Sequence, residues 1–166
     1  MQHSALILLG TNLGNRHQNL MAATGAIRTF LGSVEKQSHI YESEPWGRIH
    51  QPAFYNQVLQ VSTPCTALET LHHIKQIEFL LGRDNKEKWA PRTIDIDILF
   101  FDDLKVESPI LTIPHPQMHL RRFTLEPLRE VAPDHVHPLL GKTIVELLDE
   151  CADTLQVTAL DLVYQY

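Results

Sequence analysis

The order in which apolar periodicities change along this chain most constrains what it can fold into. Short apolar runs that read as strands take turns with stretches whose apolar residues recur every three or four positions. Ser4 to Leu9 gives a first strand, and Gly10-Thr11-Asn12-Leu13-Gly14 reads as a tight turn into a helix. Leu20, Ala23, Ile27 and Phe30/Leu31 form the stripe of that helix, and Gly32 stands where it should end. Val34 to Tyr41 reads as extended. Glu42 to Pro52 reads as a long loop, and Phe54 to Val61 as a third strand. Thr66 and Glu69 make the T-x-x-E pattern of a capping box. The helix behind it has Leu68, Leu71, Ile74, Ile77 and Leu81 on its inner face and ends at Gly82. A charged segment, Arg83 to Arg92, leads into the strand Thr93 to Phe101.

Strand, helix, strand, strand, helix, strand is the split βαβ order. The expected class is therefore α+β: a ferredoxin-like βαββαβ core with an antiparallel sheet and C-terminal additions. Those additions are a Pro- and His-containing stretch (Ile113 to Arg122) and two short helical patterns, the second with its own T-x-x-E at Thr143 and Glu146. The tail, Leu155 to Leu162, can add a strand. Such a core serves enzymes and RNA-binding modules alike, so function has to come from the site.

With 166 residues, 43% of them hydrophobic, the chain is expected to form one domain over residues 1–166. A net charge of −6 argues against a general nucleic-acid binder. Cys65 and Cys151 have no metal-like spacing and read as reduced thiols. No apolar run approaches a membrane span, and the N-terminus lacks a leader pattern. A cytoplasmic monomer with no membrane or nucleic-acid partner is expected.

Thr93-Ile94-Asp95-Ile96-Asp97-Ile98-Leu99-Phe100 carries the most chemistry. In a strand Asp95 and Asp97 point the same way, ~6.6 Å apart, while Ile94, Ile96 and Ile98 face the core. Two carboxylates at that reach can share metal ions ~3.5–4 Å apart, the arrangement used for phosphoryl displacement. Hard oxygen ligands suit Mg²⁺. The plainer reading is a solvent-facing strand with two acids that discourage edge pairing. Against it stands the neighbouring charge: five of the fourteen Lys and Arg residues fall between Lys75 and Arg92. Acids for metal beside bases for phosphate is what a nucleotide site needs.

The basic loop, with Arg83, Lys86, Lys88, Trp89 and Arg92, has the composition of a lid whose Trp89 stacks on a flat heterocycle. Solvated charges around a surface anchor are the other reading. Gly10 to Gly14 lacks both the P-loop ending and the dinucleotide-fold spacing; it reads as a turn, with Asn12 available to a ligand. Of the ten histidines, His115 sits between Pro114 and Pro116, which fix where its ring points. With Arg121, Arg122 and Phe123 nearby it is a candidate phosphate or base contact. The remaining histidines have no zinc-like spacing and read mostly as surface residues.

Taken together, Gly10 to Gly14, Tyr41 to Gly47 (YESEPWG), Gln51 to Val58 (QPAFYNQV), Ile77 to Arg83 (IEFLLGR), Trp89 to Phe100 (WAPRTIDIDILF) and Ile113 to Pro133 resemble the 6-hydroxymethyl-7,8-dihydropterin pyrophosphokinase family. The resemblance runs from Leu6 to about Leu148. It implies transfer of pyrophosphate from ATP to the pterin's hydroxymethyl group, release of AMP, and two Mg²⁺ ions. It implies Asp95 and Asp97 as metal ligands and, with Arg83 and Arg92, as the catalytic set. Thr112, His115, Arg121 and Arg92 would contact ATP, with Glu78 and Ile98 along the adenosine and Trp89 beside it. For the pterin it implies Asn56 at the polar edge and the ring between Phe54 and Phe123. Ser43, Pro45 and Trp46 would line that pocket, Asp95 would reach it, and Trp89 would close over it. The chain departs from the family where an Arg-x-Arg is common: it has Arg83-Asp84-Asn85, so Lys86 or Lys88 would supply the second charge. Lys75 stands where a glutamine is common. A catalytically weakened relative and an RNA-binding module are the alternatives.

Overall fold

The structure, a computed structural model, describes residues 1–44, 52–82 and 93–161. In chain order its elements are β1 (His3–Thr11), α1 (Arg16–Phe30), β2 (Ser33–Gln37), β3 (Ile40–Ser43), β4 (Phe54–Thr63), α2 (Ala67–Leu80), β5 (Asp95–Phe101), β6 (Val106–Glu107), β7 (Thr112–Ile113), a 3₁₀ turn (Met118–Leu120), α3 (Arg122–Val131), α4 (Ile144–Glu150) and β8 (Val157–Leu160).

The main sheet runs β5-β1-β4-β3-β8, with β2 also on β4, and its pairings are antiparallel. With β2 and β3 together standing for the second strand, this is the strand order expected of a βαββαβ core. β8 extends the sheet beyond β3. β1 lies inside, and each face of it is covered. Ala5, Ile7 and Leu9 pack with Leu20, Ala23 and Ile27 of α1 and Ile74 and Ile77 of α2. Leu6 and Leu8 pack with Leu125 and Leu128 of α3 and Ile144 and Leu147 of α4. A strand buried on both sides shows an unbroken apolar run, which is why Ala5–Leu9 does not alternate.

The second face is divided along its length. Leu6, Leu8, Val58, Leu99 and Phe100 lie under α3 and α4. Farther along the same side chains' face come Gly10, Asn56, Ser43, Asp95 and Asp97. Burying an apolar end under helices and gathering polar groups at the other end is how this sheet makes room for a site.

Several local readings change. Gly10 and Thr11 belong to β1, not to a turn, and Gly10 pairs with both Asn56 and Asp95. The turn follows, and Asn15 caps α1 by accepting from the Gln18 amide at 3.0 Å. The extended stretch Val34 to Tyr41 is two strands, because buried Ser38 binds β4 across the break: its Oγ accepts from Val58 N at 3.0 Å. Leu68 is 59% exposed; the buried face of α2 is Thr70, Ile74, Ile77 and Glu78. Both capping boxes form, at Thr66/Glu69 and Thr143/Glu146. In β5 a bulge places Ile98 opposite Ile7 and Phe100 opposite Leu6. That extra residue turns both Leu99 and Phe100 toward α3 and α4. The short tail strand expected within Leu155 to Leu162 is β8.

Gly32 follows α1 with φ +155°, and a Cβ built there would sit 2.0 Å from the backbone oxygen of Ser62. The approach of the helix end to β4 therefore excludes any side chain. Gly32→Ala is expected to lower stability by about 1–3 kcal/mol through overpacking, read from chemical denaturation midpoints. An unchanged midpoint would show that β4 yields at no cost.

Candidate active site at the polar end of the sheet

Asp95 and Asp97 project from β5 away from Ile94, Ile96 and Ile98, which are buried in the α1/α2 core. They lie opposite Gly10 and Leu8 of β1. The Asp97 carboxyl is pushed up to about 7, first by burial, then by the charges of Asp95 and Glu78, with Arg121 and Lys75 acting the other way. A partly buried carboxylate pair, with hard oxygen donors, fits a divalent cation such as Mg²⁺. Among the described residues no group of three or more His, Cys, Asp or Glu side chains is placed to hold a metal. The pair would therefore leave most of an ion's coordination to water and substrate oxygens.

Glu78 plays a different part. It is buried in α2, on the core side of β5, where it accepts from the Ile96 amide at 3.1 Å and from Lys75 Nζ at 3.4 Å. Among the described residues β5 is the outermost strand on this side of the sheet, and the Ile96 amide needs a partner that no further described strand supplies. Glu78 thus fixes the strand that carries the two aspartates.

Beside β5 opens a cleft of about 230 Å³. Leu71 and Lys75 of α2, Ile98 of β5, and Leu111, Thr112 and His115 line it, and Asp97 stands at its wall. Ile98, Thr112 and His115 are thereby brought together at one cleft. His115 is anchored through its amide, which donates to Leu99 O at 3.0 Å, and its Nδ1 accepts from Gln117 N at 3.2 Å. Burial, with Arg121 close by, lowers its pKa to about 4. Near neutral pH it is an uncharged imidazole whose Nε2 carries the hydrogen and can donate. Arg121 is electrostatically linked to both aspartates and lies 5.6 Å from the Phe123 ring centre.

On the other side of Gly10 lies a second group. Asn56 pairs with Gly10 and Tyr41, and Phe54 with Ser43. Asn56 is buried, and its Nδ2 donates to Ser43 Oγ at 2.7 Å. A Cβ on Gly10 would meet Asn56 Oδ1 at 3.4 Å and Phe54 Cδ1 at 3.8 Å. Gly10 is therefore a bare stretch of backbone between an amide and a carboxylate, which lie two strands and roughly 10 Å apart. Sequence reasoning missed this role. A glycine at the end of an apolar strand is the signal for it, since such residues mark a close approach to backbone.

Two neighbours hold the rim. Thr11 Oγ1 donates to Thr93 O at 2.5 Å, at the entrance to β5. Asn12 is buried and its Nδ2 donates to Pro52 O at 3.2 Å, so it anchors the approach to β4. The surface reading of the histidines fails at His137, which is 3% exposed and accepts from the amides of Leu139 and Leu140. Phe123, half-buried in the first turn of α3, packs against the second core cluster on the same face. Pro45, Trp46, Arg83, Lys86, Lys88, Trp89 and Arg92 lie outside the described residues.

The raised Asp97 value has a consequence for stability. Between its ordinary value of 3.8 and about 7, the fold retains a proton that the unfolded chain has released, so this group destabilises the fold increasingly as pH rises through that window. Without divalent metal, Asp97→Asn should raise the melting temperature at about pH 8, the gain vanishing near pH 4. An equal gain at both ends would overturn that electrostatic cause.

Comparisons with known proteins bear on this geometry. Residues 6–133 match the family model described as 7,8-dihydro-6-hydroxymethylpterin-pyrophosphokinase. The 2-amino-4-hydroxy-6-hydroxymethyldihydropteridine pyrophosphokinase of Synechocystis is 40% identical over 149 residues, covering 89% of this chain and 76% of the relative. The enzyme of the same description from Aquifex aeolicus is 39% identical over 142 residues, 86% and 88% of the two chains. Among solved structures, wild-type Plasmodium falciparum HPPK-DHPS with pterin and p-hydroxybenzoate superposes with a TM-score of 0.72 at 21% identity, over 90% of this chain and 42% of that one. That likeness concerns the fold, and this chain spans less than half of that longer protein. On the family match and these relatives, the chain belongs to the 7,8-dihydro-6-hydroxymethylpterin-pyrophosphokinase family.

Proposed function

We propose that this protein transfers the pyrophosphoryl group of ATP to the hydroxymethyl group of 6-hydroxymethyl-7,8-dihydropterin, releasing AMP, as a step of folate biosynthesis. The observation that carries the reading is the row Asn56, Gly10, Asp95 across three strands, with a cleft opening beside Asp97. A fused two-ring heterocycle laid on the bare Gly10 backbone meets Asn56 at one edge and Asp95 at the other. Asn56 spends its Nδ2 on Ser43, which leaves the carbonyl oxygen as an acceptor for the ring's N–H donors. Phe54 and Phe123 supply aromatic surface, and Pro45, Trp46 and Trp89 complete the pocket.

ATP occupies the cleft, its base against Ile98 and Thr112 at the β5 edge and its phosphates running toward Asp97. Glu78 serves this site by holding β5. His115 and Arg121 donate to phosphate oxygens, joined by Arg83 and Arg92, with Lys86 or Lys88 in place of the family's second loop arginine. The pterin hydroxyl attacks the β-phosphorus in line and AMP leaves from the opposite side, so positioning and charge stabilisation do most of the work. Mg²⁺ held by Asp95 and Asp97 would offset the phosphate charge. No helix among the described residues is long and apolar enough to cross a membrane; a monomer acting in the cytoplasm completes the proposal. An RNA-binding module would use this same sheet face, where Asp95 and Asp97 repel phosphate.

The test is to incubate the protein with Mg²⁺, ATP and the hydroxymethyl dihydropterin and to measure AMP and pterin diphosphate. Asp95→Ala and Asp97→Ala should nearly abolish both products while leaving the far-ultraviolet circular dichroism intact. Native-like turnover in either variant would remove the assignment. Arg92→Ala should slow the reaction by about 10²–10³-fold, the usual cost of one charged contact to the transition state.

A further inference from the structure

The helix that brings Phe123 and Arg121 to the site does not cap itself. The residue at its N-cap position is Arg121, whose side chain makes no capping hydrogen bond. The acceptor comes from thirty-one residues farther along: Asp153 Oδ2 accepts from the Arg122 amide at 3.0 Å. Asp153 O also accepts from Arg122 Nε at 3.1 Å, and Asp153 Oδ1 from the Leu155 amide at 3.0 Å. The same segment then enters β8, which pairs with β3 so that Val157 lies opposite Ser43. One short stretch of chain therefore fastens the start of α3 and, through β8, the strand that carries Ser43. The far end of α3 has its own tie, since Glu130 accepts from the His39 amide at 2.8 Å and from the Tyr41 hydroxyl at 3.3 Å. With one end of the helix pinned to β3, the fastening at its start sets how far Phe123 stands from the sheet.

We propose that Asp153 is a positioning residue for the pterin: by capping α3 it holds Phe123 at the separation from the Phe54/Asn56 sheet surface that admits a flat ring. Asp153 lies beyond the family match, which ends at residue 133, and it acts through α3 without touching substrate. The inference rests on the pterin assignment above and adds a structural determinant of that subsite.

Steady-state kinetics with each substrate varied in turn provide the test. Asp153→Ala should raise KM for the pterin about tenfold, the scale expected when a lost cap is felt as misplacement, with KM for ATP and kcat nearly unchanged. Asp153→Asn, which keeps an acceptor oxygen, should restore most of the loss. Should Asp153→Ala not fold, Arg122→Pro decides against Arg122→Ala: both lose the Nε contact to Asp153 O, but proline, tolerated at the first helical position, also lacks the capped donor, so the proline variant should raise the pterin KM well above the alanine variant. Parallel shifts in both KM values, identical behaviour of Ala and Asn at 153, or no shift in a protein that turns over normally would overturn the inference alone. Absence of turnover in the native protein would instead overturn the pterin assignment, and this inference with it.

Discussion

Everything at the polar end of the sheet depends on the register of β1 between β4 and β5. Side chains on a strand alternate faces, so slipping either neighbour by one residue would send its site residues into the α1/α2 core. Register is secured because β1 is packed on both faces, with Ala5, Ile7 and Leu9 on one side and Leu6 and Leu8 on the other. The same alignment that satisfies these apolar contacts puts Gly10 between Asp95 and Asn56. Core packing, not the site itself, sets the spacing of the polar groups.

The described part of the site gathers negative charge. Asp95, Asp97 and Glu78 crowd one end of β5, with Arg121 and Lys75 as the opposing charges felt at Asp97. A fold optimised for stability alone would avoid such a cluster, and the strain it represents is of the kind retained where a ligand brings compensating charge. His115 beside it is neutral, which lets it donate to an anion without adding to the pairwise balance that the acids and Arg121 establish.

Much of this was legible in the residues. The alternation of periods gave the strand order, the T-x-x-E patterns gave two helix starts, and the Asp95-x-Asp97 spacing gave the shared face. Less visible were features that depend on contacts distant in sequence. The β5 bulge arises from pairing with β1 and leaves no local mark, so Leu99 and Phe100 break the expected alternation. Gly10 looks like a turn residue until β4 and β5 are laid on either side of it. Glu78 sits on a helix face where periodicity expects an apolar residue, and the Ile96 amide that donates to it gives a buried carboxylate a role there. Asn12, a residue type favoured in turns, donates to Pro52 O and holds the chain as it approaches β4.

That buried carboxylate of α2 also bears on how copies of the protein behave toward one another. An outermost β-strand presents spare backbone donors and acceptors, the natural template for accretion of another chain's strand. At Ile96 the spare amide is already engaged from within the molecule, and the acidic side chains flanking it on the opposite face repel any identical strand that approaches. The margin of the sheet that must stay accessible to a small ligand is thus made a poor seed for intermolecular sheet growth, and the protein can keep an open cleft without inviting self-association there.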